Sequence, residues 1–365
     1  MDRKSLVATV IIAILVLSLI ITPSLVVRTS SKVGLNLRDE VRNHVTVTLK
    51  VYKNGELVYK NDDDPITDTW IKAVISTMFQ LYRYGLRFTY TDGSTGSWVK
   101  NDVVYSSKRV KGVLAIGTDT SPASTTDIAL YAPYMEHVLD SSNYLIQDNA
   151  NWVNVTISHT FIVSESVSIA EAGLMIKDMS GKYILVCRDS FTPVSLNADE
   201  GLTIEYRFNI KKDPPFTEYF WGVIINVFLG YQGSTGSAWG GHVFYTENSY
   251  HYDDNPYDEN KVRWAIVLSD DPWSTTSIIN LDMSKVSWTV GNQSFNLHIR
   301  LDEYDQNTYE AYGLAFYVYV CTSKNSYNWS QYSTKLIAYI RYPNPPVTVD
   351  RYTYHIIDLG VNFNA

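Results

Sequence analysis

The sequence predicts a mainly β protein: two tandem antiparallel β-sandwich modules, each with one short helix, behind an N-terminal hydrophobic transmembrane or signal helix. Three observations predict it. A stretch of about 150 residues occurs twice, apolar residues alternate with period two through most of both copies, and an uncharged run of bilayer length stands at the front.

The duplication is plainest where Lys111-Gly-Val-Leu-Ala-Ile-Gly-Thr-Asp-Thr-Ser-Pro-Ala-Ser-Thr-Thr-Asp-Ile128 faces Lys261-Val-Arg-Trp-Ala-Ile-Val-Leu-Ser-Asp-Asp-Pro-Trp-Ser-Thr-Thr-Ser-Ile278, 150 positions later. Ile66-Thr67-Asp68-Thr69-Trp70 faces Phe216-Thr217-Glu218-Tyr219-Phe220 at the same offset. Farther on, Lys182, Ile184, Arg188, Pro193 and Val194 face Lys335, Ile337, Arg341, Pro346 and Val347 at an offset of 153. Repeats of this length are whole domains rather than solenoid units. The division that follows is 1–32 for the anchor or signal segment, 33–62 for an N-terminal hairpin, 63–211 for the first module and 212–365 for the second.

Taken in chain order, Leu6 to Val27 carry no charge and follow Arg3 and Lys4. Their length matches an apolar bilayer core of roughly 20 residues and exceeds a signal-peptide core of about 7–15. An uncleaved signal anchor is the first reading, and a peptide cut near Thr22-Pro23-Ser24 is the second. Lys4 to Ile12 also resembles the start of archaeal type IV pilins, without the glycine that precedes their cleavage site. All three readings place the rest of the chain outside the cytoplasm, where Asn154, Asn292 and Asn328 stand in Asn-x-Ser/Thr acceptor triplets for glycosylation.

Val45, Val47, Leu49 and Val51 alternate with polar residues up to Asn54-Gly55, which predicts a hairpin with Glu56 to Tyr59. Nothing comparable precedes the second copy, so this hairpin reads as extra to the repeat. Each copy then opens on a helical pattern: Trp70, Ile71, Val74, Ile75, Met78 and Phe79, then Phe220, Trp221, Ile224, Ile225, Phe228 and Leu229. Thr67 and Thr217 stand at the N-cap positions, after Pro65 and Pro215. The glycine-serine segments Asp92 to Trp98 and Gln232 to Trp239 read as loops, because no Walker lysine follows. The remainder is strand: Val155, Ile157, His159, Phe161 and Val163; Leu202, Ile204, Tyr206, Phe208 and Ile210; and His355, Ile357, Leu359, Val361 and Phe363 in the second copy.

Chemistry-bearing clusters are few, and none makes a catalytic constellation. The net charge of -8 and the absence of a Lys/Arg cluster argue against nucleic acid as a partner. Seven histidines show no zinc spacing, and His159 and His355 fall on apolar strand faces. Asp253, Asp254, Asp258 and Glu259 are the candidate calcium ligands, set against an ordinary Asp-rich turn, and no cofactor is expected. Asp253, Asp258 and Glu310 are the carboxylates available to a glycan-active enzyme. Cys187 and Cys321 occupy non-equivalent places, Cys187 facing Ile340, so buried thiols are favoured over a bridge. Twenty-eight tyrosines and nine tryptophans, many in loops such as Tyr245 to Tyr252 and Tyr327 to Tyr332, supply broad amphipathic contact surface.

Ile116-Gly117, Pro122, Asp127 and Leu130, then Glu171-Ala-Gly-Leu174, then Arg188-Asp-Ser-Phe-Thr-Pro-Val194, give the first copy a recognisable order. It resembles a β-sandwich module recurrent in tail and fibre proteins of phages and related viruses. Asp119 replaces that family's second glycine, and the second copy keeps only Pro272, Gly313-Leu314, Arg341 and Pro346-Val347. The resemblance implies virion structure or host attachment and no catalytic residues. A membrane segment, foreign to ordinary tails, favours an enveloped particle or an appendage. The expected function is therefore a membrane-anchored extracellular structural or adhesion protein, a spike-like surface component of an archaeal virion or a cell-surface appendage. Its partners would be the membrane through residues 6–27, other copies or surface proteins, and a glycan or host receptor. The alternatives are a pilus-like filament subunit, joined when Val33 to Tyr59 enters a neighbour's sheet, and a secreted glycan-active enzyme.

Overall fold

The computed structural model describes residues 28–63, 65–79, 81, 85–99, 110–178, 180–231, 243–244, 262–271, 278–280, 287–290, 294–300, 307–321, 332–342, 344–350 and 353–360. Leu6 to Val27 lie outside them, and among the described residues no helix is long and apolar enough to cross a membrane.

The chain enters through β1 (Arg28–Asn36) and α1 (Leu37–His44), then β2 (Val45–Lys53) and β3 (Glu56–Asn61). Next come α2 (Asp68–Met78), the short ribbon β4 (Phe88–Thr89) and β5 (Thr95–Gly96), β6 (Lys111–Gly117), β7 (Pro133–Val138) and β8 (Tyr144–Asp148). The long strands β9 (Trp152–Ile162), β10 (Val167–Lys177), β11 (Tyr183–Leu196) and β12 (Gly201–Lys211) finish the first half. The second half opens on α3 (Glu218–Val223), followed by β13 (Val243–Phe244), β14 (Val262–Val267), β15 (Ile278–Asn280), β16 (Ser287–Val290) and β17 (Ser294–Arg300). It closes with β18 (Tyr309–Ala311), β19 (Gly313–Cys321), β20 (Tyr332–Arg341), β21 (Val347–Val349) and β22 (Thr353–Gly360).

The protein is mainly β. In the first half, one sheet runs β11-β10-β6-β7 and the other β3-β2-β12-β9-β8. Leu114, Ile116 and Leu174 of the first sheet and Leu49, Ile157 and Phe208 of the second belong to one buried cluster, as the period-two pattern requires. The second half has a matching pair: β20, β19, β14 and β15 in one sheet, with β13 beside the far end of β19, and β1-β22-β17-β16 in the other. Asn54 and Gly55 take positive φ values of 49° and 86° and close the predicted β2-β3 hairpin.

Four expectations are corrected. The second half does have a counterpart to the edge hairpin, but it comes from the front of the chain: β1 lies parallel to β22, Arg28 facing Thr353 and Asn36 facing Gly360, whereas β2 lies antiparallel to β12. Residues 28–32, assigned to the anchor span, already belong to that strand. Asp92 to Trp98 is in part strand, with Thr89 facing Thr95. The second helix is also shorter than its pattern: after Val223 the chain widens into a π-helical turn over Ile224–Phe228, where Asn226 Nδ2 donates to the Gly222 carbonyl at 2.7 Å and competes with the backbone donor.

Both helices are fixed to their sheets in the same way. In the β10-β11 ladder Leu174 faces Cys187 and Met175 faces Leu185, so Val186 bulges; in β19-β20, Phe316 faces Ala338 and Tyr317 faces Leu336, so Ile337 bulges. The Thr67 N–H donates to the Val186 carbonyl at 2.9 Å, and the Thr217 N–H to that of Ile337 at 3.0 Å. Their hydroxyls donate to the next carbonyls, Leu185 and Leu336, each at 2.5 Å. Hence Ile337 occupies the place of Val186, not that of Ile184, while Arg188 and Arg341 stay equivalent by facing Gly173 and Gly313. The second copy has two extra residues between bulge and arginine. An insertion of two leaves every side chain on its own face, which is why the apolar pattern survives it.

The helices then pack against each other. Trp70, fully buried, donates from Nε1 to the Phe228 carbonyl at 2.8 Å and sets its ring edge-on to Phe228. Phe79 stacks on Phe316 at 5.0 Å, and Phe216 on Phe220 at 3.9 Å, so one apolar cluster runs through both halves. Helix α1 locks this joint. Arg38 and Arg42 pair with Asp68 at the start of α2 at 3.3 and 2.5 Å, and His44 stacks on Trp221 while its ring nitrogens face the carbonyls of Glu40 and Pro214.

The two threonines make unequal demands. Thr67 Oγ1 also caps Trp70 N–H at 3.2 Å, but Thr217 makes no side-chain cap bond. Thr67→Val is expected to cost about 2 kcal/mol and Thr217→Val about 1 kcal/mol, from loss of two hydrogen bonds against one. Urea unfolding of the two variants checks the order.

Candidate functional site

The residues that carry the tail-fibre resemblance meet around one buried guanidinium. Arg188 on β11 is wholly buried. Its Nε donates to Glu171 Oε2 at 2.8 Å, Nη1 to Asp127 Oδ2 at 3.0 Å and to the Pro122 carbonyl at 3.4 Å, and Nη2 to the Ser121 carbonyl at 3.1 Å. Asp119 approaches Nη2 at 3.5 Å from the partly exposed side. Burial alone would lower the arginine, but the bonds and charges of Glu171 and Asp127 outweigh it and hold Arg188 above its ordinary value.

The carboxylates are equally occupied. Glu171 accepts from the Tyr131 and Ala132 backbone N–H groups at 3.2 and 2.8 Å. Asp127 accepts from the Ser124 N–H at 3.0 Å and the Tyr131 hydroxyl at 2.8 Å, which raises the tyrosine's pKa. The Tyr131 ring lies 4.2 Å from the Arg188 carbon and is more than half exposed. Each carboxylate is committed to holding the segment 118–132 against the sheet, so the cluster is a fastener rather than an acid or base. Two glycines admit it: a Cβ on Gly117 would stand 2.3 Å from Glu171 Oε1, and one on Gly173 2.5 Å from Leu130 Cδ1.

The fastened segment shapes a groove. A cavity of about 410 Å³ lies between it and the outer face of the β6-β10 sheet, lined by Ala129, Leu130, Pro133, Tyr134, Met135, Glu136, Ala115, Met175, Tyr183 and Thr91. Glu136 accepts from the Tyr183 hydroxyl at 3.3 Å, leaving an apolar and aromatic floor with one carboxylate at its rim. The sequence hides this groove, because its lining comes from five separate stretches and only Tyr134 and Glu136 show strand alternation. Among the described residues the second half shows no such fastener. Ala311 stands where Glu171 does, two residues before Gly313, and Arg341 pairs with Asp270 at 2.6 Å with both side chains more than half exposed.

The sequence-derived site residues scatter. Asp253, Asp254, Asp258 and Glu259 lie outside the described residues, as do Asn292, Asn328 and the aromatic stretch from Tyr245 to Tyr252. Glu310 is exposed on β18. Asn154 is buried on β9, paired between Asn209 and Gln147, so the folded sheet closes this acceptor to a glycan. Cys187 is buried on β11, while Cys321 is described only as the last residue of β19. Among the described residues no three metal-ligating side chains gather at one point.

Arg188→Met would strand two buried carboxylates and is expected to cost about 3–5 kcal/mol. Arg341→Met removes an exposed pair and is expected to change stability by less than about 0.5 kcal/mol. Chemical denaturation of both variants measures the contrast. Comparison of the chain with protein-family models, with curated proteins and with solved structures returned no match.

Proposed function

We propose that this chain is a membrane-anchored extracellular structural or adhesion protein, a spike-like surface component of a virion or a cell-surface appendage, built as two tandem β-sandwich modules. The residues 63–211 and 212–365 are the modules, and the apolar segment Leu6 to Val27 is the tether. One observation carries the reading. The strap β1-α1-β2 follows that segment directly and gives a strand to the sheets of both halves, with a helix at the joint between them. A tether pulling there acts on both modules as one body, which suits a projecting element better than beads on a flexible linker. The groove beside Tyr183 and Tyr134 is the adhesive surface in this reading.

Membrane fractionation tests it. The full chain is expected to sediment with membranes and to need detergent for release, and a chain lacking residues 1–27 to be soluble with an unchanged protease-resistant body. A truncated chain that still sediments would sink the anchor. Deleting residues 1–44 removes β1 and α1 of the strap as well, and limited proteolysis is then expected to digest the second half first. Immunogold electron microscopy of virions, filaments and plain envelopes decides which surface bears the protein.

A further inference from the structure

Two histidines close the open side of the first half. His137 on β7 and His159 on β9 stack ring on ring, with centroids 3.5 Å apart and planes within 1°. Their ladders put both on the inner faces of their sheets: His137 faces Leu114 across β6-β7, and His159 faces Ile204 across β9-β12. The stack therefore bridges the two sheets at the β7-β8 seam. We infer that this pair is an acid-sensitive latch, whose opening frees the turn and strand that follow it and so loosens the contact between the two halves of the chain.

The surroundings favour an uncharged His159 ring. Phe161 meets His159 edge-on at 4.8 Å. From the turn after β7 comes one carboxylate, Asp140, whose Oδ1 already accepts from the Ser142 N–H and hydroxyl at 2.8 and 2.6 Å. From β6 and β12 the facing residues are Leu114 and Ile204, both apolar and buried. On β7 itself Glu136 belongs to the opposite face, where it bonds Tyr183. A second proton would place two like charges 3.5 Å apart with one carboxylate, already engaged, to share.

Burial, then the neighbouring His137, lower the His159 pKa from its ordinary 6.5, and Asp140 opposes them. A depressed histidine contributes stability that is complete above the unfolded value and is lost as the pH falls through about 6.5 and below. Beyond the latch, Tyr144 at the start of β8 donates its hydroxyl to the Leu229 carbonyl at 2.9 Å and meets Tyr231 edge-on at 5.4 Å. Both partners belong to the second half, so this seam leads to the joint.

Amide hydrogen exchange in the full chain, held in detergent, tests the latch. After correction for intrinsic rates, protection of Asp140 to Asp148 is expected to fall about tenfold between pH 7.5 and pH 5. His159→Phe, which keeps a flat ring on His137 without a titrating nitrogen, is expected to hold its protection; His159→Gln carries the same expectation should that variant fold poorly. The inference fails if the wild type shows no loss, or if the variants lose protection as the wild type does. Histidine ring NMR gives an independent reading: His159 is expected to titrate at higher pH in His137→Gln than in the wild type, and an unmoved midpoint refutes the coupling.

Discussion

A bulge in a β-ladder releases one carbonyl from its strand partner, and both halves of this chain spend that carbonyl on a helix. Val186 and Ile337 receive the backbone N–H of Thr67 and Thr217, and the adjacent carbonyls receive the two hydroxyls. Four hydrogen bonds therefore decide where two helices start, and hence which of their faces meet. From that placement follow the approach of Trp70 to Phe228, the Phe79-Phe316 stack and the single apolar cluster that joins the halves. A helix shifted by one residue would rotate by about 100° and present a different stripe to the joint. The buried threonines are thus registration pins for the whole body.

The two halves share a frame of sheets and helix anchors and differ in surface. Where the first copy has Glu171, Asp127 and Arg188 all buried, the second has Ala311 and an exposed Arg341-Asp270 pair. A buried ion pair is stable only when each partner's remaining valences are filled, and the first copy fills them with backbone N–H groups and carbonyls of its own segment 118–132. With no carboxylate at Ala311 to meet it, the Arg341 guanidinium lies exposed. Among the described residues, the fastened groove accordingly belongs to the first half.

What the sequence made legible was local. Asn54-Gly55 announces its hairpin because the turn chemistry lies within four residues, and Thr67 announces a helix start because the apolar period begins beside it. The repeat itself is visible because identical frames need similar residues at similar spacing. The clamp was half legible: Arg188, Glu171, Asp127 and Gly173 stand out as an ordered motif, but only the folded segment shows that they converge. The histidine stack was not legible at all, since only His159 reads as a residue on an apolar strand face, His137 carries no such signal, and their partnership exists across two sheets. The offset failed for a different reason. An insertion of two residues in a strand preserves alternation, so sequence comparison slides past its true position.

The strap was the largest omission, and its topology explains why. Strand β1 pairs in parallel with β22, joining residue 28 to residue 353 in a sheet whose other ladders are antiparallel. No turn signal marks a partnership across more than three hundred residues, and parallel pairing requires none. The same separation orders assembly. The first half can close once β12 has formed beside β2, but the second cannot complete its sheet until the last strand meets the earliest one. Closing so long a loop has an entropic cost, which grows slowly with length but must be met before the contact stabilises anything. Helix α1 stands at that closure: Arg38 and Arg42 pair with Asp68, Leu37 and Val41 are buried, and β1 runs directly into it. The parallel β1-β22 ladder thus completes the second half's sheet with a strand that leads straight into the first half.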